Sequence, residues 1–130
     1  MDYTMTVTTS AAPDAAEEAV RSALADEGFG ILSEIDVQAK LQEKLGEDIG
    51  TYRILGACNP PLANKGIGLD NDLGALLPCN VVIRGREDGG TDIVAADPEA
   101  MLGVADNPAL EELACDAKER IERALKVASQ

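Results

Sequence analysis

The stretch Thr51–Ile83, TYRILGACNPPLANKGIGLDNDLGALLPCNVVI, decides how this chain folds. It opens with an apolar, partly β-branched run, Tyr52 to Ala57. It closes with another, which continues from Asn80 to Arg84; both read as strands. The 20 residues between Cys58 and Cys79 can carry a parallel crossover or an antiparallel return. Gly66 and Gly68 favour two short pieces and a return. On that reading both cysteines lie at one end of the sheet. If the strands were parallel, the thiols would lie at opposite ends.

Upstream, Tyr3-Thr4-Met5-Thr6-Val7-Thr8 alternates apolar residues with threonine, the period of a half-buried strand. Ser10 is placed to cap a helix that has Pro13 in its first turn and Ala16, Val20, Ala23 and Leu24 on one face. That helix stops at Gly28. Phe29 to Ile35 reads as a strand, and Asp36 caps a short helix with Val37, Leu41 and Leu45 at intervals of four. Downstream, Asp88-Gly89-Gly90 is a hairpin turn into a strand from Thr91 to Ala96. Asp97-Pro98 starts a short turn or helix through Met101 and Leu102. Asn107 and Pro108 open the last helix. Its apolar stripe is Leu110, Leu113, Ala114, Ala117, Ile121, Ala124, Leu125 and Ala128, and Cys115 falls nearly opposite. The mixed order predicts one domain over residues 1–130. Its fold class is an α+β two-layer sandwich, with a mostly antiparallel sheet of about five strands and helices packed on one face.

Composition limits the function classes. Lys and Arg total 11 against 24 Asp and Glu, a net charge of −13. Such a field repels nucleic acid and anionic membranes, so neither is expected as a partner. No apolar run reaches the ~18 residues that span a bilayer, and a basic-then-apolar leader pattern is lacking, so a cytoplasmic protein is expected. The acid is dispersed along the chain and lysine is scarce. That pattern reads as adaptation to a high-salt cytoplasm, where the Debye length shrinks to ~3 Å and self-repulsion costs little. The competing reading is an acidic docking surface for a basic partner or divalent cations.

The candidate site is the pair of Cys-Asn steps with their prolines: Cys58, Asn59 and Pro60, then Pro78, Cys79 and Asn80. Close thiols permit a reversible disulfide, soft-metal ligation by Cys58 and Cys79, or a thiolate nucleophile. There is no histidine, hence no Cys-His dyad, and two cysteines fall short of a zinc set. Asn-Pro-Pro fixes φ at two successive residues and removes two donors, which suits the rigid lip of a pocket. Lys65 and Arg53 are the nearest cations that can lower a thiol pKa or hold an anion, or else they are surface charges. The plain alternative is that both cysteines pack as small hydrophobes while the asparagines satisfy backbone groups at strand ends.

Ile54-Leu55-Gly56-Ala57-Cys58-Asn59-Pro60-Pro61 and Leu76-Leu77-Pro78-Cys79-Asn80-Val81-Val82 resemble the domain-of-unknown-function 302 family, small prokaryotic proteins with this ACNP and LPCNV pair. The likeness extends to Asp36–Leu41, Glu43–Gly46, and Asp97-Pro98 with Met101-Leu102. It implies a compact α+β fold that associates as a dimer, and no settled activity. Gly66 and Gly68 depart from the pattern, because relatives are more helical after the position of Lys65.

Three functions follow as expectations. The first is a small homodimeric binding or sensing module that holds a small molecule or soft metal at Cys58, Asn59, Pro60, Lys65, Cys79 and Asn80. The second is a thiol-based redox or transfer enzyme, with Cys58 attacking and Cys79 resolving. The third is an interaction domain with purely structural cysteines. No cofactor can be named from these residues.

Overall fold

The alternation of apolar residues and threonine near the N-terminus forms an edge strand, and the remaining strands follow the same logic. The computed structural model describes residues 2–130. In chain order the elements are β1 (Thr4–Thr9), α1 (Pro13–Asp26), β2 (Gly30–Asp36), α2 (Val37–Leu45) and β3 (Tyr52–Cys58). Then come α3 (Pro60–Leu69), β4 (Cys79–Gly85), β5 (Thr91–Ala96), α4 (Pro98–Gly103) and α5 (Glu111–Ala128). Single 3-10 turns cover Leu73–Leu76 and Pro108–Leu110. The five strands form one sheet in the order β1-β5-β4-β3-β2, with every neighbouring pair antiparallel. The fold is an α+β sandwich, as its periodicities predict.

The long helices α1 and α5 pack against each other and onto one face of the sheet. Leu55, Val81, Ile83, Ile93 and Ala95 point into that layer and are fully buried against Val20, Leu24, Ile121 and Leu125. Full burial of each Leu, Ile or Val side chain among them removes it from water at a gain of roughly 1.5–3 kcal/mol. The stripe read from α5 is buried throughout, and Cys115 is exposed on the far side. A second apolar cluster of Leu73, Leu102, Leu110, Leu113 and Ala114 ties the 3-10 turns and α4 to α5. Among the described residues, no helix is long and apolar enough to cross a membrane.

Two local expectations need correction. Ser10 does not cap α1: the cap position is Ala12, without a side-chain bond, and the neighbouring Thr9 Oγ1 accepts from the Ala11 amide. The chain therefore relies on Pro13, whose missing amide needs no partner at a helix start. Gly66 and Gly68 do not interrupt the helix after Lys65, which runs through both to Leu69. Gly66 sits there because a Cβ would lie 2.6 Å from Leu73 Cδ2, so packing outweighs its poor helix propensity. The break instead comes at Asp70–Asp72, where Asp70 Oδ1 accepts from the Asp72 amide. The connection is thus two short pieces and a return. Helix α2 is the weakest element: Asp36 caps it as expected, yet none of its residues is buried and Leu45 is 68% exposed.

Candidate functional site at the cysteine end of the sheet

Antiparallel pairing of β3 with β4 sets Ala57 opposite Cys79 and Gly56 opposite Asn80. Both cysteines therefore stand at the same end of the sheet. Strand alternation separates their side chains, however. Cys79 shares the helix-covered face with Ala57 and Val81, whereas Cys58 pairs with Gly30 on the other face. Neither thiol is in a disulfide.

Burial pushes the Cys79 thiol up to about 11, and the proximity of Cys58 pushes in the same direction. Such a group stays protonated at neutral pH and is neither a nucleophile nor a ready thiolate ligand. Asn59 is only 7% exposed. Its Oδ1 accepts from the Leu62 amide at 3.2 Å, capping α3, and its Nδ2 donates to the Glu27 carbonyl at 3.4 Å. Both ends of that amide are thus committed to structure, joining α3 to the end of α1. Pro60 and Pro61 fill the first turn of α3, where missing amides cost nothing.

Asn80 is different. It is exposed and makes no side-chain hydrogen bond among the described residues, so its amide is free for a ligand. It stands at the mouth of a cleft of about 160 Å³, whose walls include Leu76, Leu77, Pro78, Cys79, Ala96, Pro98 and Met101. A narrower apolar cavity of about 40 Å³ continues inward past Cys79 toward Phe29, Leu62 and Leu73. Asp97 positions the α4 wall: its Oδ1 accepts from the Glu99 amide at 2.9 Å and its Oδ2 pairs with Lys118 Nζ at 3.0 Å.

The cations lie elsewhere. Arg53 is near the other end of β3, on Asp14 at 2.8 Å and Glu17 at 3.0 Å. Lys65 is exposed and lines a separate groove with Glu112, Cys115, Asp116 and Glu119 of α5. No group of three or more Cys, Asp or Glu able to hold a metal occurs among the described residues. Cys79 and Met101 do offer two soft sulfurs to one cleft.

The family described as "Domain of unknown function DUF302" matches residues 5–128 of the chain. The chain belongs to the DUF302 family. A crystal structure of an uncharacterized conserved DUF302 protein from Bacillus stearothermophilus is similar over 100% of both chains, at 32% identity and a TM-score of 0.91. No curated protein matches the sequence. Within this DUF302 fold, the two motifs that carried the resemblance converge on the sheet end just described. Sequence reasoning missed Pro98, Met101 and Ala96 as walls of the cleft. Asp97-Pro98 and Met101-Leu102 belong to the same family pattern, and that was the available signal.

Gly56 gives the DUF302 site a direct test. A Cβ there would strike the Ser33 side chain and approach Pro78 Cγ to 2.7 Å. Gly56→Ala is expected to cost about 1–3 kcal/mol in urea unfolding, because the Pro78 wall must move. An unchanged unfolding midpoint would mean that this wall yields freely.

Proposed function

We propose that this chain is a homodimeric binding module. Its cleft takes a small, mostly apolar ligand, with the Asn80 amide and the protonated Cys79 thiol as polar contacts. The observation that carries this reading is an apolar cleft with one uncommitted amide, walled by the LPCNV motif together with Pro98 and Met101. Small-molecule sites have this character, few polar groups on an apolar wall. A soft monovalent metal is the second ligand class: Cys79 and Met101 line the same cleft, and binding would require the Cys79 thiol to give up its proton. A thiol enzyme is the weaker reading, since Cys58 and Cys79 project from opposite faces and Cys79 holds its proton.

The test is native mass spectrometry on protein purified without chelator or reductant. A dimer with a retained mass, lost in Met101→Glu and in Asn80→Ala, is the expected result. A bare dimer with all thiols free would favour purely structural cysteines. A loss of two mass units would restore the disulfide reading.

The same proposal includes a high-salt cytoplasm. All six arginines are paired with carboxylates, and a net charge of −13 remains. Added potassium chloride should therefore raise the melting temperature by screening carboxylate repulsion. Full stability in dilute buffer with no gain from salt would remove this part.

A further inference from the structure

The face of the sheet opposite α1 and α5 has a simple plan, read from the strand register. Thr6, Val94, Val82, Ile54 and Ile35 form one row straight across all five strands. On one side of it runs a row of larger polar residues, Thr8, Asp92, Arg84 and Tyr52. On the other side, toward the cysteines, runs a row of mainly small residues, Thr4, Ala96, Asn80, Gly56 and Ser33. None of the apolar middle row is fully buried, and Ile35 is 48% exposed. Their neighbours on the helix face, Leu55, Val81, Ile83 and Ile93, are all at 0%.

Charge is distributed just as unevenly. The whole chain carries −13, yet these three rows hold one arginine and one aspartate. Arg84 pairs with Asp92 at 3.0 Å, and Asp92 also holds Arg86 at 3.0 Å from beyond the end of β4, so these rows carry no unpaired acid. Depletion of charge around an apolar centre marks the core of a protein interface. A basic partner would seek the acid that covers the rest of the molecule. A second copy, equally acidic, can approach closely only where that charge is missing.

The geometry points to this open face as the surface on which a second copy of the chain sits, through a twofold axis lying along the Thr6–Ile35 row. This rests on the homodimer reading above and adds where the copies meet. That axis lays each middle row on its own copy. It also lays the large polar row of one protomer over the small row of the other. The strands cross in the aligned manner of stacked sheets about 10 Å apart. The partner's Arg84 then stands over Asn80, and the partner's Tyr52 over the Ser33 and Pro78 side chains that cover Gly56, beside the mouth of the cleft. The ligand site is therefore completed by the partner.

Light scattering on the full chain over a range of concentrations tests this. Wild type is expected to be a dimer, with Val82→Asp weakening its association at least about 100-fold, since each change enters the twofold interface twice. Ile35→Asp, at a position already exposed, should weaken it in the same direction without threatening the fold, and circular dichroism checks both variants. A monomeric wild type would overturn both the dimer and this surface. A dimer that survives Ile35→Asp and a folded Val82→Asp would leave the homodimer standing and overturn the face.

Discussion

At about pH 8, Cys79 alkylates at least ~20-fold more slowly than an unstructured cysteine, measured in a Cys58→Ala, Cys115→Ala background. A thiol at about 11 is ~0.1% thiolate there, against roughly a quarter for an ordinary cysteine, a ratio of about 200. The more basic thiolate is intrinsically the better nucleophile and recovers about tenfold of this, while restricted access works the other way. The rate should keep climbing past about pH 10 rather than level near 9 as for an ordinary thiol. A plateau near 9 would mean that the thiol is solvated and that the cleft wall is open. Stability carries the same signature. Between about 9 and 11 the folded protein retains a proton that the unfolded chain has released, so stability falls as pH rises through that window. The loss is about 2 kcal/mol after allowance for partial exposure. Cys79→Ala should flatten the slope to the smaller share left by Cys115 and Lys118, whose pKa values are also raised.

Ile121→Ala is expected to cost about 2–5 kcal/mol, a large part of the roughly 5–15 kcal/mol available to a domain of this size. Ile121 is at 0% exposure in the middle of the α5 stripe, in the cluster that includes Leu24, Leu125 and Ile93. Removal of its three outer carbons leaves a cavity that sheet and helices cannot fill without moving. Urea unfolding should show an earlier midpoint with little change in slope. Val127→Ala on the same helix is the control, because Val127 is 58% exposed. Its effect should stay within about 0.5 kcal/mol. Equal costs at the two positions would mean that α5 does not pack on this stripe.

Much of this architecture was legible in the chain. The α5 stripe and the face of α1 follow from 3.6-residue spacing, and every residue assigned to either is buried. The hairpin before β5 follows from Asp88-Gly89-Gly90, and Asp88 Oδ1 does accept from the Gly90 amide. Helix boundaries failed where a particular side-chain contact, rather than residue type, decides them. Gly66 looks like a breaker until Leu73 is seen against it, and Ser10 looks like a cap until Thr9 holds the Ala11 amide. The candidate site was legible as a pair of motifs, but its division of labour was not. Asn59 and Asn80 follow cysteine in identical steps. One is locked between α3 and the Glu27 carbonyl, and the other is free at a cleft.

The amino-acid sequence by itself determined the element types, the single apolar stripe on each long helix, the acidic charge and the family. These depend on local periodicity, on turn chemistry and on composition, all of which act within a few residues. Only the tertiary structure decided that the two thiols share an end of the sheet but not a face. It also decided that Met101 and Pro98 wall the cleft and that the charges on the open face are paired with one another. Those facts come from strand register, which brings together residues tens of positions apart, and a shift of one residue would reverse every side chain.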